Sequence, residues 1–436
     1  MAIIAILVAI FLLIVLVGWF KTNPFLGFLV AAIVAACLSG IPPQKIPSVL
    51  EAGIGSMLGS LAIILCVGAM FGKLISETGA AQQISRTLIA AFGEKYITWA
   101  LMITGFIVGI PLYYNVGFVL LVPLIFSVMH QTKLPAVYLG IPLLAGLSTT
   151  HGFLPPHPAP IALIPQFGAS IGTTLLYGII IAIPTVIVAG PLLASRLKFI
   201  SANPIKTFCA KAMPDDELPS PRNSFFCALL PVLLIAISSL LPVVAPAIAS
   251  NSWVMFFSDP SIVLMLGLFV ATYSLGVARG IRFEKIMQFF GDGLKDISII
   301  VLIIAGAGAL KQVFVTSGVS TELGGMLQQI PLNPLVLAWL IATVIRIALG
   351  SATVAGLTAA GIVAPLVISS GANPNLMVLA VGAGSLMCSH VNDSGFWMYK
   401  EYFNLSLKDT FKSWSLMETV IGIMGLIGVL LLDRFI

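Results

Sequence analysis

Arginine, carboxylate and histidine are the side chains that hold an anion or pass a proton, and this sequence sets a few of them inside long apolar runs. Arg346 interrupts VLAWLIATVIRIALGSATVAG, where a guanidinium facing lipid at mid-depth costs about 2.5–3.5 kcal/mol or more. It therefore needs a partner. Its planar fork fits a substrate carboxylate; an internal ion pair with Asp393, or snorkelling at a hairpin mouth, would satisfy it equally. Asp393, in SHVNDSG, follows His390 by three residues. A carboxylate at such depth can carry a proton, or it can cap the next half-helix while His390 only hydrogen-bonds across the break. His151 and His157 flank the prolines of STTHGFLPPHPAP; each is either a relay member or a hydrogen-bond partner between helices. Asn115, Ser148, Thr149, Thr150, Ser351, Thr353, Ser389 and Asn392 stand beside these groups and offer the neutral hydroxyl and amide contacts that orient a small polar ligand.

The elements that must position these residues are membrane spans. Only 8% of the 436 residues are Asp, Glu, Lys or Arg, against roughly 25% in a soluble protein. Hydrophobic residues make up 59% and mean hydropathy is +1.11, so polar surface is too scarce to cover a water-soluble globule. A soluble enzyme, a disordered chain and a nucleic-acid binder are excluded. The five cysteines form neither a CxxC nor a Cys/His cluster, which points to no disulfide framework, metal site or cofactor. Residues 1–20 lack a basic leader and a small-residue cleavage site, and read as a retained first span.

A crossing needs about 20 apolar residues, which selects 3–20, 24–40 and 51–72. Residues 73–96 pattern as an interfacial amphipathic helix. The run 97–132, broken by GIPLYYNVG, reads as a re-entrant hairpin with its tip around Asn115; 135–168 is a broken span and 171–195 a crossing. After a polar linker come crossings at 224–247, 260–278 and 296–315, and a polar arm at 316–331. A second hairpin follows at 333–370, broken near Ser351 and Thr353, then a span interrupted at 389–395 and a last crossing at 414–433. The expected fold is an all-α polytopic membrane protein of two inverted-topology repeats, 1–198 and 224–436, each with a re-entrant hairpin and a broken helix, joined by a cytoplasmic linker at 199–223. Five crossings per half force the inversion. Seventeen of the 21 basic residues then share the cytoplasmic face, against Lys45, Lys311 and Arg434 outside, with Arg346 at depth. The positive-inside rule thus places both termini outside.

Inverted repeats with discontinuous helices are the architecture of secondary transporters, and half-helix N-termini at the breaks suit an anion. Proton or sodium can be the coupling ion, since Asn, Ser and Thr also coordinate sodium. A membrane-embedded enzyme finds no HExxH, GxSxG or paired intramembrane aspartates. Arg346 and Asp393 stand out as the charged pair at membrane depth, the other acidic residues falling mostly in loops and arms.

The segments GAMFGKLISETG, GIPLYYNVGFVLLVPLIF, HGFLPPHPAP and SHVNDSGFWMYKEYFNLSLKDTFKSWSLMET together resemble the gluconate permease family of bacterial gluconate:proton symporters, over essentially the whole chain. The resemblance implies import of gluconate or a related sugar acid by proton symport across the inner membrane, on an ion-transporter-like fold. It implies a bilayer, a small anion and a proton as partners, with no nucleic acid, and leaves homo-oligomerisation open. Relatives of this kind also carry other aldonates or D-serine. One departure stands out: many members carry an acid in a PLFFEVG-like hairpin motif where this chain has Asn115. If that acid carries protons there, coupling here rests on Asp393 or a histidine.

Overall fold

The computed structural model describes residues 2–110, 112, 114–155, 157–202, 213–244, 251–318 and 332–436, and every regular element among them is helical. In chain order these are α1 (Ala2–Ile14), α2 (Pro24–Leu38), α3 (Ile46–Glu77), α4 (Ala80–Gly109), α5 (Tyr114–Thr132), α6 (Ala136–Phe153), α7 (Pro158–Phe167) and α8 (Ile171–Ile187). Then follow α9 (Pro221–Val244), α10 (Ser252–Ser258), α11 (Pro260–Ala271), α12 (Phe283–Thr316), α13 (Pro334–Leu349), α14 (Ala352–Ser370), α15 (Pro374–Leu386), α16 (Ser394–Tyr402) and α17 (Leu416–Leu432). Six helical stretches are long and apolar enough to cross a membrane. Large side chains such as Phe11, Ile107, Leu176 and Phe269 stay exposed on their outer faces, as lipid contact allows.

Local chemistry sets the helix starts. Asn-Pro recurs at 23–24, 333–334 and 373–374. Each time the Asn Oδ1 accepts the backbone N–H two residues on, at 2.9, 2.9 and 3.0 Å, while proline occupies the first helical position, where no N–H is needed. The two broken spans have equally local causes. Between α6 and α7, Leu154 is extended, and Pro158 opens the next helix. Between α15 and α16 the chain passes through Cys388 at φ 50° before Asp393 caps α16.

Packing is closest where glycines let backbones touch. A Cβ on Gly53 of α3 would lie 2.4 Å from the Gly308 carbonyl oxygen of α12, and one on Gly308 would lie 2.6 Å from that of Gly53. Small residues at a crossing are how membrane helices gain contact without a hydrophobic drive. Likewise α6 and α15, the first halves of the two broken spans, meet where a Cβ on Gly382 would stand 2.2 Å from the Gly152 oxygen. α16 is buried on nearly all sides, with Phe396, Trp397, Tyr399 and Tyr402 at 0% exposure.

Several expected boundaries move. Residues 73–77 belong to α3, which ends at a left-handed Gly79 (φ 78°), and the rest of the arm runs on into α4 through a kink at Gly93 (φ 68°, ψ 165°). One face of this arm is covered by protein, because Ala80, Ala81, Ile84 and Ser85 are buried and Gln82 pairs with both backbone groups of Met213. It is not a purely interfacial helix. The crossing expected at 296–315 starts at Phe283; at 1.5 Å per residue its 34 residues span about 50 Å, so Glu284, Lys285, Asp292 and Lys295 ride on helix beyond the apolar core. The last crossing begins at Leu407 and passes a π turn, Phe411–Ser415, before α17. Most of the arm expected at 316–331, and residues 203–212 of the linker, lie outside the described residues.

Candidate functional site

A cavity of about 200 Å³ lies among the helix interruptions, small beside the roughly 300–1,000 Å³ of sites for drug-sized ligands. Tyr114 and Asn115 reach it from the start of α5, Ser148 and His151 from the last turns of α6, and Ser351, Ala352 and Thr353 from the start of α14. Arg346 enters from the last turn of α13, Asp393, Ser394 and Gly395 from the head of α16, and Trp414 and Glu418 from the final crossing.

Arg346 is 3% exposed, and its Nη2 donates to Asp393 Oδ2 at 2.6 Å. Asp393 is committed on both oxygens: Oδ2 also accepts from Ser389 Oγ, and Oδ1 accepts the Gly395 N–H at 3.0 Å. The ion pair and the helix cap that the residue types allowed are thus both formed by one carboxylate. Trp414 Nε1 donates to Ser389 Oγ at 2.7 Å. Its place in the π turn aims the indole at this chain of bonds, and π turns recur at functional positions. The pair leaves two guanidinium donors unused: Nε and Nη1 have no hydrogen-bond partner among the described residues. A buried donor without a partner is costly, and an anion in the cavity would satisfy it.

The C-terminal ends of α4 and α13 are each held from the helix break that follows in the same half of the chain. His157 Nε2 lies 2.8 Å from the Gly109 carbonyl at the end of α4. A carbonyl only accepts, so Nε2 carries the hydrogen, and Nδ1 shares a 3.3 Å hydrogen bond with His151 Nδ1. His390 Nε2 donates to the Ile347 carbonyl at 3.0 Å, and Asn392 Nδ2 donates to Ile347 and Ala348 at 2.7 and 3.1 Å, at the end of α13. These are the last-turn carbonyls that a helix cannot satisfy itself. Gly350 makes the approach possible, with φ 72° and a missing Cβ that would stand 2.2 Å from the Asn392 oxygen.

Of the residues singled out from sequence, Asn115, Ser148, His151, Arg346, Ser351, Thr353 and Asp393 line the cavity. His157, His390 and Asn392 brace its walls. Ser389 supports Asp393, Thr150 bonds back to its own helix at Gly146 and Leu147, and Thr149 is fully buried without lining the space. Sequence reasoning missed Tyr114, Trp414 and Glu418. The carboxylate was legible only as an acid near the start of the last apolar run; its burial, at 1% exposure, comes from the helices packed around it.

Residues 1–435 match the description of a GntP family permease. The chain belongs to the GntP permease family. This permease is 47% identical to the Gnt-II system L-idonate transporter of Escherichia coli over 99% of both chains. It is 45% identical to a high-affinity gluconate transporter of the same organism over 100% of each, and 44% identical to the gluconate permease of Pseudomonas aeruginosa over 98% of this chain and 96% of that one. It is a multi-pass membrane transporter and not an enzyme. Among solved structures, the Alcanivorax borkumensis YdaH transporter aligns over 95% of this chain at 12% identity and a TM-score of 0.45, a likeness too distant to carry geometry from one to the other.

Proposed function

We propose that this permease imports gluconate or a closely related sugar acid together with protons across the bacterial inner membrane, with both termini outside. The observation that carries the reading is Arg346, buried in a polar cavity at the helix breaks with two donors unused. A sugar acid supplies a carboxylate for those donors and hydroxyls for Asn115, Ser148, His151, Ser351 and Thr353. Relatives named as gluconate and L-idonate transporters support this substrate class.

Alternating access follows from the proposed repeats, 1–198 and 224–436, linked by 199–223, with α4–α5 and α13–α14 as re-entrant hairpins. The mutual contact of α3 with α12, and of α6 with α15, is what a twofold relation between the halves would produce. Hairpins and broken spans would move as one unit against the remaining helices. Labelled gluconate uptake into proteoliposomes tests the function: it should rise with an inward proton gradient and be competed by L-idonate more strongly than by D-serine. Uptake that needs sodium and ignores the proton gradient would instead make the Asn115-bearing hairpin a sodium site and remove proton coupling.

A further inference from the structure

Two carboxylates line the cavity, and they differ in their commitments. Asp393 is held by Arg346, Ser389 and the Gly395 N–H. Glu418, on the final helix, is 1% exposed, and among the described residues it forms no ion pair and its Oε1 has no hydrogen-bond partner. The Ser148 hydroxyl is the neutral hydrogen-bond partner of its carboxyl.

The groups facing it are few. Arg346 comes from α13, Asp393 from the head of α16, His151 from α6 and Tyr114 from α5, all on the same cavity. The helices packed on the other sides of α17, α8 and α15, contain no charged residue. The single cation within the cavity is already bound to Asp393. Burying a carboxylate without a counter-ion is costly, and Glu418 is among the residues that line the space where the anion would sit.

We infer that Glu418 is the proton-coupling residue of this permease, its carboxyl holding a proton while the anion sits beside Arg346 and releasing it when the site opens to the far side. This rests on the reading of the protein as a proton-coupled anion importer. The balance is simple: one proton joins one carboxylate oxygen of Glu418, no other bond is made or broken, and the same proton leaves to water on the far side. An anion entering beside two charged carboxylates and one guanidinium would meet net negative charge; a protonated Glu418 removes one of them. Asp393 is then a positioning residue that holds the guanidinium.

The test uses the full chain in proteoliposomes, with labelled gluconate, in two modes: accumulation driven by a pH gradient, and exchange with unlabelled gluconate at equal pH. Wild type should accumulate gluconate about tenfold per pH unit if one proton accompanies each anion; if it does not, proton symport itself fails and the Glu418 assignment goes with it. Glu418→Gln should lose gradient-driven accumulation, and the exchange it retains should no longer vary with pH. Glu418→Asp should still accumulate, with a displaced pH profile. Gradient-driven accumulation by Glu418→Gln with the wild-type pH profile overturns the assignment while leaving the import function standing. Loss of exchange along with accumulation in Glu418→Gln, with an undisplaced pH profile in Glu418→Asp, also overturns it.

Discussion

Replacing Arg346 by lysine separates the guanidinium's two tasks. In the wild-type protein Nη2 serves Asp393 at 2.6 Å while Nε and Nη1 remain for an anion. Lysine keeps the charge, but one ammonium cannot reproduce a planar fork that holds Asp393 and still presents directed donors to a second carboxylate. With the ion pair retained, the variant should lose charge-assisted hydrogen bonding to the substrate worth about 1.5–3 kcal/mol, a KM increase of about 10- to 150-fold. Arg346→Leu is a different perturbation. It leaves Asp393 buried at 8% exposure without its cation, which costs about 3–5 kcal/mol of stability. The double variant Arg346→Leu/Asp393→Leu should recover most of that stability and none of the transport, because an apolar pair can replace the ion pair's packing but not its unused donors. Thermal unfolding in detergent gives the first quantity and gluconate exchange the second. An Arg346→Lys protein that exchanges gluconate with a KM within about threefold of wild type would refute substrate recognition by the guanidinium fork.

Three further outcomes follow. Gly350→Ala should cut transport at least about tenfold, because the residue has φ 72° and its Cβ would press on the Asn392 oxygen; Gly371→Ala, at φ 68° with open space around it, should show only the left-handed strain of about 1–2 kcal/mol, so equal losses in the two would discount the hairpin contact. His157→Ala leaves the Gly109 carbonyl without its 2.8 Å donor and should lower stability by about 1–3 kcal/mol, read as a fall in unfolding temperature; an unchanged temperature would mean that the tip does not depend on this bond. Transport of one proton with one singly charged sugar acid is electroneutral, so a potassium diffusion potential at equal pH should drive no gluconate accumulation. Accumulation that follows the potential would require a second proton and count against a single carrier at Glu418.

The sequence made the interruptions legible because their causes are local. Prolines at 155, 158 and 160, the Asn-Pro helix starts and the SHVNDSG cap act within a few residues of themselves, and the charges are sparse enough for Arg346 to be conspicuous. Which interrupted segments face one another was not legible, since that depends on contacts such as Gly350 with Asn392 or Gly152 with Gly382, made between elements tens or hundreds of residues apart. Helix ends were misjudged wherever a helix continued past its apolar stretch, as α3 and α12 do. Apolar runs mark where lipid begins, whereas backbone hydrogen bonding decides where a helix begins. What buries Glu418 is the packing of other helices around it, which the sequence does not display. That packing sets the acid beside an ion pair that has no charge to spare for it, and two carboxylates around one guanidinium form a site whose charge balance depends jointly on an anion and a proton.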